Sequence, residues 1–417
     1  MELYEQIKSL CAGASAAAPC FAKASAKQKN ASLEAIAAVL EAEKEKILAA
    51  NREDLDRAAE NGVPPQMMDR LALNESRIAG ICSALRELIT LTDPIGSGEC
   101  WVRPSGITVR CVRVPLGVIG IIFEARPNVT VDAAALCLKT GNATVLRGGK
   151  EAINTNRVLV ALMQKALESV GLDPRAVSLI TDTSHEGANI LMQMTEYVDV
   201  LIPRGSHRLI KAVKEGSKVP VIETGAGNCH LYIDESADAN TAVRVAVNAK
   251  CQRPAVCNAI ETLLVHKNAA ERILPLVGEA MAKFGVEFRC DGATKPYLPG
   301  AKDADESDWS TEYDDYILAV KAVSSLDEAI AHINKYNTGH SEAIITQSYE
   351  NGKRFQAEVD AAAVYVNAST RFTDGGEFGF GAEIGISTQK LHARGPMGLA
   401  ALTSQKYLID GNGAVRE

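Results

Sequence analysis

The sequence predicts an α/β fold built around a parallel β-sheet. Helical and strand-like segments alternate from about residue 118 onward, and most of the strands are short, continuous apolar runs. Strands that are apolar on both faces are typical of a parallel sheet with helices packed on both sides. With 417 residues, the chain exceeds what one hydrophobic core normally serves, so two or three domains are expected.

The N-terminal part of the chain is predicted to be helical. Residues 32–55 are rich in Ala, Leu, Glu and Lys with apolar residues at helical spacing, and the Asn-Gly-Val-Pro-Pro segment at 61–65 ends this helix. Further helices are predicted over residues 75–90, 130–139, 154–170, 185–194, 206–215, 238–250, 269–284 and 326–336.

Strands are predicted between these helices. Residues 107–113 alternate apolar and polar side chains, which indicates a half-buried strand, whereas residues 118–123 form the apolar run of a buried one. Other strands are predicted at 143–146, 177–181, 198–202, 219–222, 261–265, 317–323 and 342–346, with an exposed strand at 399–409 and loops at 93–98 and 303–315. The alternation restarts near Gly227, which indicates a domain boundary there.

Charge, hydropathy and cysteine spacing exclude several classes of protein. The 44 basic and 52 acidic residues give a net charge of -8, which leaves no basic surplus for binding nucleic acid. The longest apolar run, about 114–123, is shorter than the ~20 residues of a membrane helix, and the N-terminus lacks a secretory pattern. The ten cysteines have no zinc spacing, so we expect a cytoplasmic protein with reduced thiols and no metal.

Cys257 has surroundings that set it apart from the other cysteines. Pro254 ends the segment before it, and Cys257 and Asn258 precede an apolar strand, where a thiol is both exposed and fixed. Arg253 would lower the pKa of this thiol, and the thiolate is the nucleophilic form. The alternative is a buried packing role, which we expect for most of the ten cysteines.

Several segments, in order along nearly the whole chain, resemble the aldehyde dehydrogenase superfamily. Residues 115–122 (PLGVIGII) are similar to the strand that leads to the catalytic asparagine, here Asn128, and residues 223–227 (ETGAG) resemble a Glu-Leu-Gly-Gly-Lys motif. Cys257 follows Glu223 by 34 residues, counted as 257 minus 223, which is the spacing of the conserved Glu and the nucleophilic Cys in that family. Residues 317–320 and 325–330 resemble the region after its cofactor-binding Glu.

Within the superfamily, the chain is most similar to the branch that reduces L-glutamyl 5-phosphate. The similarity rests on residues 123–130 (FEARPNVT), 146–152 (LRGGKEA), 203–206 (PRGS), 252–259 (QRPAVCNA), 332–336 with 340–342, and 391–399 (LHARGPMGL). Asn337 departs from the Gly or Ser expected there. The resemblance implies NADPH-dependent formation of L-glutamate 5-semialdehyde and phosphate in proline biosynthesis, by a homo-oligomer coupled functionally to glutamate 5-kinase.

The resemblance also implies an aldehyde-dehydrogenase-like organisation. A Rossmann-type cofactor domain is expected over residues 1–99 and 118–226, and an α/β catalytic domain over 227–388. A small β flap for oligomerisation is expected over 100–117 and 389–417, where exposed strand edges would invite pairing.

Catalytic roles for Cys257, Asn128 and Glu223 follow from the resemblance. Cys257 would attack the acyl-phosphate carbonyl, and the thioester would then be reduced. The Asn128 amide and the Cys257 backbone N–H would hold the oxyanions, although without the resemblance Asn128 is better explained as a turn residue after Pro127. For Glu223, accepting the thiol proton and capping the loop are both open. In aldehyde-oxidising relatives the matching Glu activates water.

The cofactor prediction rests on charge. Alignment of the strand at 143–146 with the family places Arg147 at the conserved Lys that touches the adenosine ribose. Three positions later, Lys150 stands where NAD-preferring members often carry a Glu. A lysine attracts a 2′-phosphate that an acid would repel, so NADP(H) is expected. The alternative is a solvated basic turn.

Other cofactor contacts are implied at two further positions. Gly205 and Ser206, which open a predicted helix, would meet the pyrophosphate through backbone N–H groups. Glu312 stands where the family has a Glu that binds the nicotinamide ribose, but Asp314 and Asp315 depart from the usual Phe-Gly.

The doubly anionic substrate needs cationic partners, and Arg126, Arg253 and Arg371 are the candidates. The sequence does not divide the phosphate and the α-carboxylate among them. Two rival functions remain open: oxidation of a free aldehyde, which Glu223 favours, and a non-catalytic role on the same scaffold.

Overall fold

The structure is a computed structural model that describes residues 1–124 and 126–416, without the side chains of residues 65, 66 and 207. The predicted α/β class with parallel sheets is confirmed. Helices are α1 Glu2–Lys23, α2 Ala26–Ala42, α3 Lys44–Glu60, α4 Pro65–Leu71, α5 Glu75–Thr90, α6 Pro127–Lys139, α7 Ile153–Ser169, α8 His185–Leu191, α9 His207–Gly216, α10 Ala239–Cys251, α11 Lys267–Ala282, α12 Leu326–Tyr336 and α13 Tyr349–Glu358. None of these described helices has the length and hydropathy of a membrane span.

The strands alternate with these helices. They are β1 Gly98–Val102, β2 Thr108–Pro115, β3 Val118–Phe123, β4 Ala143–Arg147, β5 Val177–Leu179, β6 Val200–Arg204, β7 Cys229–Ile233, β8 Ile260–His266, β9 Glu287–Cys290, β10 Lys302–Asp303, β11 Ile317–Val323, β12 Ser341–Ile345, β13 Ala363–Val366, β14 Ile386–Ser387, β15 Gly395–Pro396 and β16 Thr403–Asp410.

The chain divides into two compact units, each with its own parallel sheet. Unit 1 comprises Met1–Glu223, Gly379–Gly385 and Met397–Glu417, and unit 2 comprises Thr224–Phe378 and Ile386–Pro396. The cofactor-binding, catalytic and oligomerisation roles given to ranges of the sequence stay predictions.

Local hydrogen bonds decide the helix boundaries in the N-terminal part of unit 1. The predicted helix at 32–55 is two helices, because Glu43 leaves helical geometry and ends α2 before α3 begins. Helix α2 starts earlier than predicted, since Ser25 and Gln28 form a capping box that satisfies its first N–H groups. Helix α5 is bounded as predicted, with Asn74 as its N-cap.

The main sheet of unit 1 has the strand order β5-β4-β3-β6, and every pair is parallel. All six residues of β3 are buried, as its apolar run predicts. The strand predicted at 219–222 is wrong, since only a single bridge joins Val221 to Leu201. Pro220 has no N–H to donate, so a longer ladder cannot form there.

A second sheet of unit 1 joins the chain near residue 100 to its C-terminal end. Strands β1, β2 and β16 are antiparallel in that order, and β16 pairs with β2 from Thr403↔Pro115 to Asp410↔Thr108. The predicted strand at 399–409 begins late because Leu399–Leu402 form a 3₁₀ turn. Strand β1 has no counterpart among the predicted elements, and its five residues are all exposed.

Unit 2 is built on a seven-stranded parallel sheet in the order β10-β9-β11-β8-β7-β12-β13. Helices α10 and α11 pack on it over a core of aliphatic side chains that includes Leu263, Val277 and Leu318. The register of β7 against β8 shifts between Cys229 and His230. Because the strands are parallel, the segments that enter β7, β8, β11 and β12 meet at one edge of this sheet.

Candidate active site

Cys257 lies in unit 2, in the segment between α10 and β8, and its side chain is half-buried. The segment that enters β7 runs against it. A Cβ on Gly227 would lie 1.6 Å from the Cys257 carbonyl oxygen and 2.4 Å from its Cα. Only glycine allows this approach of two backbones, so Gly227 fixes the path of the Cys257 segment.

Glu312 joins the same cluster through Gly227. The Gly227 N–H donates to Glu312 Oε1 at 2.7 Å, and Glu312 itself is half-buried. The residue predicted to bind the nicotinamide ribose therefore lies one hydrogen bond from the glycine that touches Cys257.

Two cations flank the Cys257 segment. The Arg371 guanidinium donates to the side-chain oxygen of Asn258 and, at 3.0 Å, to Gln252 Oε1. Burial lowers the pKa of Arg371, the charge of Cys257 opposes that shift, and the charge of Arg253 adds to it. The charges of Cys257 and Arg253 therefore both act on Arg371, and Arg253 is exposed to solvent.

The predicted residues of unit 1 follow the carboxyl ends of its parallel strands. Arg126 and Asn128 follow β3, Arg147 ends β4 with Lys150 just beyond it, and Gly205 and Ser206 follow β6. This edge of an open α/β sheet is where ligands normally bind. Glu223 is the last residue of this part of unit 1.

Asn128 stands in the first turn of α6 and is oriented by Asp132. The Asn128 amide donates to Asp132 Oδ2 at 3.0 Å. Burial raises the pKa of Asp132 to about 6, while the Asn128 hydrogen bond and the Arg204 charge lower it. Asp132 therefore fixes which way the amide of Asn128 points, a role that the sequence analysis missed.

The predicted pyrophosphate site at α9 already holds a carboxylate. Ser206 is the N-cap of α9, and its N–H and hydroxyl donate to the two carboxylate oxygens of Glu124 at 2.7 and 2.9 Å. A Cβ on Gly205 would lie 2.6 Å from Glu124 Oε2. Glu124 thus occupies the place of an anionic ligand at this helix N-terminus. It belongs to the FEARPNVT segment, yet nothing local in the sequence indicates this contact.

Arg147 and Lys150 differ in what they contact. The Arg147 guanidinium is largely buried and donates to the carbonyls of Thr183 and Ser184, each at 2.7 Å. Lys150 opens a 3₁₀ turn with an exposed side chain, and its carbonyl accepts from Arg57. Arg147 therefore holds the loop before α8, while the Lys150 ammonium faces solvent.

Glu223 and Arg126 have further structural roles within unit 1. The Lys214 ammonium of α9 lies 2.9 Å from Glu223 Oε1, an ion pair that directs this carboxylate toward α9. Arg126 is the N-cap residue of α6 and is half-buried.

The structure thus gathers all the predicted residues except Glu223 into two groups. Cys257, Glu312, Arg253 and Arg371 share the amino edge of the sheet in unit 2. Asn128, Arg147, Lys150, Gly205, Ser206 and Arg126 share the carboxyl edge of the sheet in unit 1. Their functional roles stay predictions.

Comparison with known proteins identifies the family. The model of the aldehyde dehydrogenase family matches residues 3–296 and 304–406. The chain belongs to the aldehyde dehydrogenase family. It is 56% identical over 413 residues to the gamma-glutamyl phosphate reductase of Carboxydothermus hydrogenoformans, covering 99% of this chain and 100% of that one. The predicted superfamily, its branch and the class of oxidoreductase are confirmed.

Solved structures agree with this assignment. The crystal structure of gamma-glutamyl phosphate reductase from Thermotoga maritima superposes with a TM-score of 0.97 at 48% identity, over 99% of this chain and 100% of that one. An acetylating aldehyde dehydrogenase from Geobacillus thermoglucosidasius matches with a TM-score of 0.72 at 18% identity, over 100% of this chain and 98% of that one. The second match supports the fold alone.

Asp132→Asn is predicted to remove part of the pH dependence of stability. The folded-state pKa of about 6 lies above the ordinary 3.8, so the unfolded chain releases this proton first. The stability that the protonated carboxyl contributes is fully present below pH 3.8 and is lost as pH rises through about 6. Melting temperatures of both proteins between about pH 4 and 7 test this. The melting temperature of the variant should rise relative to that of the wild type as pH increases. A difference in melting temperature that stays the same across this pH range would contradict the raised pKa of Asp132.

Proposed function

We propose that this chain reduces L-glutamyl 5-phosphate to L-glutamate 5-semialdehyde and phosphate, using NADPH and a thioester on Cys257, in proline biosynthesis. The observation that carries the proposal is the half-buried thiol flanked by Arg253 and Arg371, on a chain 56% identical to a gamma-glutamyl phosphate reductase. An acyl phosphate is anionic, and guanidinium groups suit it.

The chemistry of the first step follows from Cys257. Its thiolate forms a bond to the acyl carbon, and the bond from that carbon to the phosphate oxygen breaks, so phosphate leaves with the electron pair. Arg253 and Arg371 attract the leaving dianion, and the Cys257 backbone N–H donates to the oxyanion. NADPH, when bound, would supply the hydride that reduces the thioester, so that the C–S bond breaks, Cys257 leaves as a thiolate and the aldehyde is released.

The resemblance that assigns a role to Cys257 also assigns roles to two residues of unit 1, and we propose them here. Asn128 serves as an oxyanion donor through the N–H that Asp132 does not take, so Asp132 orients it. Glu223 accepts the thiol proton, or its ion pair with Lys214 only holds the loop. Hydrolysis would waste the thioester, so a water-activating role for Glu223 does not suit a reductase.

Nicotinamide cofactors serve the aldehyde dehydrogenase family, and we propose NADP(H) for this chain. The donors fit such a group in kind: the exposed Lys150 ammonium suits a 2′-phosphate, and the Ser206 N–H suits a pyrophosphate oxygen. Arg147 would act through the Thr183–Ser184 loop that it holds, Gly205 would leave room at the helix start, and Glu312 would accept a hydrogen bond from the nicotinamide ribose.

We further propose a homo-oligomer assembled through the β1-β2-β16 sheet. Trp101, Tyr407 and Ile409 on this sheet are exposed apolar side chains, and a neighbouring copy would cover them.

We also propose a cytoplasmic location and functional coupling to glutamate 5-kinase, which would supply the acyl phosphate.

The proposal is tested by the reverse reaction. L-glutamate 5-semialdehyde should reduce NADP only when inorganic phosphate is present, because phosphate is the nucleophile that releases the acyl group. Equal NADPH formation without phosphate would establish oxidation of a free aldehyde instead. Cys257→Ser is the control: it should lose turnover and keep NADPH binding, whereas a wild-type protein that neither turns over nor binds NADPH would have a non-catalytic role.

Lys150→Glu is predicted to shift cofactor preference toward NAD. Loss of a charge-assisted contact to the 2′-phosphate should lower the ratio of kcat/KM for NADP over NAD at least about tenfold. Lys165→Glu, which makes the same charge change at an exposed lysine of α7, is the matched control. An unchanged ratio in Lys150→Glu would count against the assignment.

Glu124→Gln is predicted to tighten NADPH binding. The carboxylate of Glu124 competes with the pyrophosphate for the N-terminus of α9, and the amide removes that charge. The Kd, measured by NADPH fluorescence, should fall about fivefold, as expected for about 1 kcal/mol from one charge at a helix terminus. Glu186→Gln, in the exposed first turn of α8, is the matched control and should leave the Kd for NADPH unchanged. A weaker Kd in Glu124→Gln would mean that Glu124 supports the site.

A further inference from the structure

A connected set of buried hydrogen bonds encloses the Cys257–Asn258 segment in unit 2. On one side, the Cys229 thiol donates to the Cys257 carbonyl oxygen at 3.2 Å and lies 3.8 Å from His340 Nδ1. Cys229 and His340 are both fully buried. Burial raises the pKa of Cys229 well above its ordinary value, so its thiol keeps the proton that it donates.

The set continues through two hydroxyl groups. His340 Nδ1 lies 2.8 Å from the Ser341 hydroxyl, and that hydroxyl lies 2.7 Å from Thr373 Oγ1. The Tyr365 hydroxyl also lies 2.7 Å from Thr373 Oγ1. Ser341 and Thr373 are fully buried, so these groups exchange hydrogen bonds with one another rather than with solvent.

Thr373 also connects this set of hydrogen bonds to Asn258, the residue after Cys257. The Asn258 amide donates to the Thr373 carbonyl at 2.9 Å, and the Thr370 hydroxyl donates to the Asn258 carbonyl at 2.7 Å. The Cys257–Asn258 segment is therefore held at one end by Cys229 and at the other by Thr373. Ser341 and His340 join the two ends.

We propose that Cys229, His340, Ser341 and Thr373 are positioning residues that set the position of the Cys257 thiol and backbone N–H by holding this segment from both ends. They act through Cys257 and do not touch the reacting atoms. This inference rests on the proposed role of Cys257 as the nucleophile. A nucleophile displaced by a fraction of an ångström loses rate without losing the fold.

The chain offers a matched test at two buried threonines. Thr373→Val keeps the side-chain shape and removes the hydroxyl between Ser341 and Tyr365. Thr262→Val makes the same change on β8, at a fully buried threonine whose hydroxyl has no hydrogen-bond partner among the described residues. Thr373→Ser restores the hydroxyl and serves as the conservative rescue.

Two measurements separate positioning from stability and from substrate identity. The first is the rate of iodoacetamide alkylation of Cys257, followed by peptide mass spectrometry across pH, which needs no substrate. The second is kcat and KM in the phosphate-dependent assay, with the NADPH Kd as the check on folding. Thr373→Val should lower kcat and the alkylation rate about tenfold with an unchanged NADPH Kd, as for a lost hydrogen bond in a positioned site. Thr262→Val and Thr373→Ser should match the wild type.

Equal alkylation and kcat in Thr373→Val and Thr262→Val would overturn the positioning role. If Thr373→Val does not fold, Ser341→Ala decides by the same criteria, because it breaks the set between His340 and Thr373 with a smaller change. If the wild type alkylates at Cys257 but shows no reaction with glutamate semialdehyde, the proposed function fails while the alkylation comparison still decides the positioning role.

Discussion

The approach of Gly227 to Cys257 is the constraint on which the rest of unit 2's site depends. A side chain at Gly227 would overlap the Cys257 carbonyl, and the same residue donates its N–H to Glu312. One residue without a side chain therefore joins the entry to β7, the Cys257 segment and Glu312. Gly225 is confined in a similar way, since a Cβ there would lie 2.2 Å from Thr388 Cγ2. Close packing therefore explains why both of these positions in the ETGAG segment are glycine.

The carboxyl edge of the sheet in unit 1 shows how the protein itself satisfies the polar groups of a predicted ligand-binding surface. A helix N-terminus leaves N–H groups without intrahelical partners and carries partial positive charge. At α9 the Glu124 carboxylate meets both needs, because it accepts from the Ser206 N–H and hydroxyl. Arg147 is likewise engaged with carbonyl groups of the loop before α8. Of the residues predicted to contact the cofactor in unit 1, Lys150 is the one whose charged group faces solvent.

The sequence correctly predicted those features of the fold that depend on short-range patterns of residues. The bounds of α5, β3, β11 and α12 agree with those predicted, because apolar periodicity and N-cap residues act within a few positions. The strand at 219–222 failed because the apolar pattern carries no information on the N–H that Pro220 lacks. Contacts such as Glu124 with Ser206 or Asn258 with Thr373 join residues far apart in the chain, and a single sequence gives no measure of such pairings.

Two buried groups of the unit 2 sheet, His230 and Glu342, have pKa values shifted toward their neutral forms. His230 and Glu342 are fully buried with 3.1 Å between Nδ1 and Oε2, yet burial lowers the pKa of His230 to about 3 and raises the pKa of Glu342 well above its ordinary value.

The pair is therefore a hydrogen bond between neutral groups rather than an ion pair, in line with the cost of burying charge. An ionised Glu342 would add a negative charge to the sheet edge that Cys257 shares and would oppose formation of the thiolate. With Glu342 protonated and Cys229 a thiol, neither of these two groups adds a negative charge to that edge.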